Sequence, residues 1–245
     1  MPKRVVRPRR VKRPRLRLSV PLQAQPTETS CGPTCLQAVY SYYGDEMPVE
    51  QLIAEVPTVE GGGTVGVHLG VHALKRGYEA VLYTYNLRIF DPSWFYPKKL
   101  DLADKLRQTL RVRSGKRREV ILACLEFVEC GGTVLYQDLT GGLIRKHLLA
   151  GEPILTGLSA TFLYRVCREI PDTGEDDDLK GEPLGHFVVL KGYRKKRHKV
   201  QVADPYGANP LSSKREYEVP MDRLINAILL GVLTYDANML IIRPR

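Results

Sequence analysis

Gln25-Pro-Thr-Glu-Thr-Ser-Cys31-Gly-Pro-Thr-Cys35 is the stretch that decides the fold. Thr29 and Ser30 are helix N-cap residue types, and Pro33 suits a first helical turn, where its missing N–H removes no bond. Beyond them Leu36, Val39, Tyr40 and Tyr43 recur at helical spacing, and Gly44 suits the left-handed residue that ends many helices. The spacing predicts a helix that opens at Cys31. A thiol at that end of a helix faces the positive pole of the backbone dipole and N–H groups without intrahelical partners. Such a place favours a thiolate and can receive an oxyanion. Gln25 offers a side-chain amide for the same purpose. Taken alone, Cys31 reads more readily as a buried structural cysteine; the rest of the constellation reverses that.

A base for that thiol comes from far downstream. His186 to Tyr193 is apolar and β-branched enough for a strand, and His198 to Asp204 reads as a second. Arg194-Lys195-Lys196-Arg197 between them has the charge of an exposed turn. A hairpin centred at position 195 sets His186 directly opposite Asp204, with Cβ atoms ~5 Å apart. A bulge would break that register. Read separately, His186 is a strand-end histidine and Asp204 a turn aspartate before Pro205.

These residues carry a family resemblance. Gln25 followed by Cys31-Gly32, then Gly185-His-Phe-Val-Val-Leu190 and a final Asp204-Pro205, resemble the bacteriocin-processing cysteine peptidases. Those are papain-like domains that remove double-glycine leader peptides. The resemblance covers roughly residues 20 to 210 and is strongest at its ends. Leu158-Ser-Ala-Thr-Phe-Leu-Tyr-Arg165 and Gly185 to Gly192 look more like stand-alone bacterial members of the superfamily. The resemblance implies that Gln25 helps hold the oxyanion, Cys31 attacks, His186 is the base and Asp204 orients it. It also implies an α+β, papain-like fold in which the catalytic helix packs on an antiparallel sheet. The distance from Cys31 to His186 is long for a leader peptidase, so a helical insertion is expected around residues 86–180.

Composition narrows the alternatives. Of 37 Lys and Arg residues, nine lie in the first 18 positions, which leaves 28 against 27 acidic residues in the remainder. The net charge of +10 is thus nearly all in one segment, in which Arg4-Val-Val-Arg-Pro-Arg9 is followed by Arg10-Val-Lys-Arg-Pro-Arg15. Repeated prolines and like charges predict a disordered basic arm over 1–18, ahead of one domain over 19–245. Such an arm suits an anionic partner, either nucleic acid or an acidic surface. It has no aromatic residue to stack on bases. No apolar run reaches the ~18 residues of a membrane span. Five cysteines without a secretion signal speak for reduced thiols and a cytoplasmic location.

The middle of the chain reads as helices over 49–56, 65–76, 97–113, 116–130 and 141–150, with strands over 78–85, 133–136 and from Pro153. His68 and His72 are four apart on one helix, but the HExxH pattern is absent and no third ligand is evident, so no metal is expected. Gly61-Gly62-Gly63-Thr64 lacks the lysine of a phosphate-binding loop, and no cofactor is expected. The acidic stretch Glu175-Asp176-Asp177-Asp178 reads as a solvated loop. A helix over 221–230 and a strand over 238–242 close the chain. The expected function is a cysteine peptidase or amidase acting on a peptide or amide through a thioester. An amine in place of water would make the same residues an acyltransferase. A binding module for peptide or nucleic acid, led by the basic arm, is the non-catalytic alternative.

Overall fold

The helix predicted at Cys31 spans Cys31–Tyr42 (α1) in the computed structural model, which describes residues 16–59 and 63–245. The chain reaches it from a two-residue strand, Leu16–Arg17 (β1), and continues through Val49–Glu55 (α2), Gly66–Lys75 (α3) and Glu79–Thr84 (β2). Leu102–Leu110 (α4), Gly115–Glu129 (α5), Thr133–Leu135 (β3) and Gly141–Leu149 (α6) follow. Ile154–Ser159 (β4), Ala160–Tyr164 (α7), Gly185–Arg194 (β5) and Lys199–Ala203 (β6) come next, and Glu216–Pro220 (β7), Met221–Leu230 (α8) and Asn238–Arg243 (β8) complete the order. The basic repeats expected to form the arm fall on residues 1–15, which lie outside the described residues, as do positions 60–62 of the glycine loop. Leu16 and Arg17 already belong to the sheet.

Among the described residues the strands form one sheet in the order β3-β2-β8-β4-β5-β6-β7, with β1 beside β5. β2 and β3 are parallel and the other pairs antiparallel. The α+β arrangement expected from the sequence is present, with the Cys31 helix on a mainly antiparallel sheet. β4 is buried along its whole length and β5 everywhere but its ends, which is why neither shows a clean apolar–polar alternation. α1 lies on β5, and its Cys35, Leu36, Val39 and Tyr40 have at most 1% of their surface exposed. The Cys35 thiol donates to the Phe187 carbonyl at 3.3 Å and so pins helix to strand. α3 lies on β2 and β8, and α4 and α5 pack on one another. The span 86–180 contains that helical pair, but it also contributes β3 and the central strand β4.

The register of the β5–β6 hairpin differs from the simple count. Arg194 pairs with Lys199, and a short 3₁₀ turn over Lys195–Arg197 with left-handed His198 (φ 48°) closes the loop. The hairpin is therefore centred beyond position 195. Pairing then continues through Tyr193↔Val200 and Gly192↔Gln201, and resumes at Leu190↔Val202 and Val189↔Ala203. Lys191 is a bulge with no partner in β6. One step further, this register sets Asp204 against Val188, so His186 and Asp204 are diagonal neighbours rather than opposed ones. Side chains alternate with a period of two, and an offset of two keeps both on one face. Without the bulge the offset would be odd and the two would face opposite sides of the sheet. Gly192, next to the bulge, has no room for a side chain, since a Cβ there would lie 2.6 Å from the Leu16 carbonyl oxygen.

Candidate active site

Cys31 is the first residue of α1 and half-buried, so its N–H and that of Gly32 fall in the turn that has no intrahelical acceptor. Ser30 is the N-cap residue by position, yet its hydroxyl turns back into the preceding loop. Its Oγ accepts from Thr27 N at 2.9 Å and donates to Thr27 O at 2.8 Å. The side-chain cap predicted for this helix is thus absent, and the loop is tightened instead. Gly32 is required by space, because a Cβ would meet Thr64 Cγ2 at 2.5 Å and the Phe187 ring at 3.4 Å.

His186, at the start of β5, stands between two partners. Its Nε2 hydrogen-bonds Asp204 Oδ1 at 2.8 Å, and Cys31 is near enough to the imidazole to favour its charged form. Gly185 before it leaves space for Thr234, whose Oγ1 would lie 2.8 Å from a Cβ at that position. Burial works against an imidazolium here, but the hydrogen bond to Asp204, the nearness of Cys31 and the charges of both outweigh it, and the His186 pKa is pushed up to about 10. Half-exposed Tyr206 closes one side, its ring centroid 6.4 Å from that of His186.

Asp204 has no exposed surface. Burial alone would raise its pKa, but hydrogen bonds from His186, Tyr164 and Tyr217, with the histidine charge, bring it below the ordinary value. Sequence reasoning missed both tyrosines. Tyr164 closes α7 and Tyr217 lies on β7, 40 and 13 positions away from the acid, and no spacing in the chain connects them to it.

Gln25 is brought alongside by its backbone, whose N–H donates to the carbonyl of Pro205, the residue after Asp204, at 2.9 Å. Its side chain departs from expectation. Nε2 donates to Thr27 O at 3.0 Å and Glu28 O at 3.2 Å, while Oε1 is buried with no partner among the described residues. Both amide N–H groups are engaged within the loop.

The other candidate groups lie apart. His72 bridges the Tyr40 hydroxyl (2.8 Å) and Glu55 (2.9 Å), and His68 Nδ1 meets Pro57 O at 3.0 Å. Among the described residues no group of three metal-ligating side chains occurs. All five cysteines are free. Burial, with the neighbouring Cys31 and Asp204, holds the Cys35 thiol well above the ordinary range. Among the described residues no helix is long and apolar enough to cross a membrane.

Residues 136–227 match the Peptidase_C39 like family, a span that includes His186 and Asp204 but ends short of Gln25 and Cys31. The chain is thus similar to the peptidases whose motifs it resembles. No curated protein matches it. Among solved structures, a C39-like peptidase from Bacillus anthracis is 16% identical, with 95% of this chain and 99% of that one covered and a TM-score of 0.49. A double-glycine-motif protease of an AMS/PCAT transporter, in complex with its leader peptide, is 16% identical with 94% of each chain covered and a TM-score of 0.44. Xylellain, a cysteine protease from Xylella fastidiosa, is 14% identical with 95% and 87% covered and a TM-score of 0.44.

Proposed function

We propose that the chain is a cysteine peptidase or amidase in which Cys31, His186 and Asp204 form the catalytic triad. The observation that carries this reading is His186, hydrogen-bonded to a fully buried aspartate and close to a cysteine at a helix start. His186 takes the proton from Cys31 Sγ, and the thiolate attacks the carbonyl carbon of an amide. The tetrahedral oxyanion is received by backbone N–H groups of the first turn of α1. As the C–N bond breaks, His186 returns its proton to the leaving amine, and the acyl group stays on sulfur as a thioester. Water, activated by the same imidazole, then releases the acid and regenerates the thiol.

Gln25 joins the oxyanion site by turning one amide N–H away from the carbonyls of Thr27 and Glu28. The partnerless Oε1 supports this, because a buried acceptor without a donor costs ~1–3 kcal/mol and leaves the amide little reason to stay. In this reading the catalytic domain begins at Leu16, where β1 joins the sheet, and the α4–α5 pair is its helical insertion.

The test is the rate at which iodoacetamide alkylates Cys31 as a function of pH, read by peptide mass spectrometry with the four other cysteines as internal controls. The expected rate persists well below pH 7 and collapses in His186→Ala. A rate that rises only near the ordinary thiol range of ~8.5, unchanged by the mutation, overturns the assignment.

A further inference from the structure

Asp204 accepts four hydrogen bonds and has no exposed surface. His186 Nε2 (2.8 Å) and Tyr206 N (2.9 Å) share Oδ1, and the hydroxyls of Tyr164 (2.6 Å) and Tyr217 (2.5 Å) share Oδ2. A carboxylate has about four lone-pair sites, so all are filled. The two phenol contacts lie at the short, charge-assisted end of the O–H···O range. Their origins are as telling as their lengths. Tyr164 ends the helix that follows β4, on one flank of the β5–β6 hairpin, and Tyr217 lies on β7, on the other. The acid is clamped from both sides of the hairpin whose far arm carries the base.

We propose that Tyr164 and Tyr217 are positioning residues for the reaction, acting through Asp204: their hydroxyls fix Oδ2, aim Oδ1 at His186 and keep the buried carboxylate an anion. The inference rests on the reading of Cys31, His186 and Asp204 given above and adds to it what holds the third member in place. Neither tyrosine need touch substrate or sulfur. With one hydroxyl removed, Oδ2 is left short of a donor in a desolvated pocket, and protonation of Asp204 becomes easier. A neutral acid no longer supports the imidazolium, so the reactive form of Cys31 is lost at a higher pH than in the wild type.

The experiment is the pH profile of Cys31 alkylation in full-length Tyr164→Phe, Tyr217→Phe and the double variant, each also made in an Asp204→Asn background. A hydrogen bond to a charged group is worth enough to move a titration by about one pH unit, so each single change should raise the acid limb by that amount and the double change by more. In the Asp204→Asn background the same changes should leave the profile in place. A merely structural tyrosine would lower the rate equally in both backgrounds, and that result overturns the proposal. So does an unmoved acid limb in a folded Phe variant whose wild type shows the low-pH rate. A wild-type Cys31 that reacts as an ordinary thiol, indifferent to His186→Ala, instead overturns the triad on which the proposal stands. Should the Phe variants fail to fold, 3-fluorotyrosine placed at position 217 keeps the shape and strengthens the donor. The limb should then move to lower pH, and a limb that stays in place overturns the proposal.

Discussion

His186 reaches Asp204 across a diagonal of the hairpin, two residues out of direct register, and the bulge at Lys191 is what makes that offset even. Deleting Lys191 removes the extra residue rather than pairing it, so Leu190 should still face Val202 in an unbroken ladder. His186 and Asp204 should keep their offset of two, and Cys31 alkylation should keep its low-pH component. Lys191→Ala keeps the extra residue and removes only the Nζ contacts to Val20 O (3.1 Å) and Glu216 Oε1 (2.6 Å). That variant should lose ~1–3 kcal/mol in a denaturant titration yet retain the reactive cysteine.

Asp204→Ala leaves an imidazole and two buried hydroxyls without their acceptor. Removal of one partner from a buried, hydrogen-bonded ion pair typically costs ~3–5 kcal/mol, and urea unfolding should show a loss of that order. Asp204→Asn, which preserves one acceptor oxygen and the shape, should cost less.

The two shifts at this pair define a pH window. The His186 pKa is raised to about 10, so its contribution to stability is complete below the ordinary imidazole value of ~6.5 and is lost as pH climbs through 10. The Asp204 pKa is lowered, so its contribution is complete above the ordinary carboxyl value of ~3.9 and fades as the solution becomes more acidic. The difference in unfolding free energy between wild type and the His186→Ala, Asp204→Ala double variant should be largest between about pH 4 and 6.5 and shrink on both sides.

Asp236 should behave in the opposite sense. Burial pushes its carboxyl up to about 7, only partly offset by the Gly66 N–H at 3.1 Å and by Asn238. The unfolded chain gives up that proton near pH 4 and the folded chain near 7, so the penalty grows across that interval and is constant above it. Asp236→Asn should therefore stabilise the protein by ~2–4 kcal/mol at pH 8 and by little at pH 4, as read from melting curves at both.

Gln25→Ala separates holding the oxyanion from shaping the loop. Iodoacetamide alkylation forms no oxyanion and should change by no more than about twofold. Capture of a peptide aldehyde, whose adduct does form one, should weaken by ~10²-fold. Equal losses in both assays would make Gln25 a support of the 25–30 loop and nothing more.

Much of this was legible in the sequence. Helical spacing after Cys31, a strand from Pro153, the apolar run after His186 and a second strand leading to Asp204 follow from local pattern, and the structure contains them with Asp204 one residue past β6. What escaped was set by contacts between distant segments. The bulge at Lys191 answers to β1 packing against Gly192, which no alternation of residues reveals. The Ser30 hydroxyl oxygen could accept from a first-turn N–H of α1 or from Thr27 N, and composition does not say which it takes. β7 was not expected because Glu216-Tyr-Glu-Val-Pro220 is short and half polar, and it becomes a strand by pairing with β6. Tyr164 and Tyr217 converge on Asp204 only once the sheet has assembled.

In the proposed triad, His186 and Asp204 belong to one hairpin, 18 residues apart, while Cys31 arrives from near the other end of the chain on a helix that docks across β5. The first contact needs only a short loop to close, and the second needs nearly the whole sheet. On that proposal, a chain that is still emerging or partly unfolded holds an unactivated cysteine. It becomes a nucleophile only as α1 seats on its strand, so chemical reactivity arrives together with the finished fold.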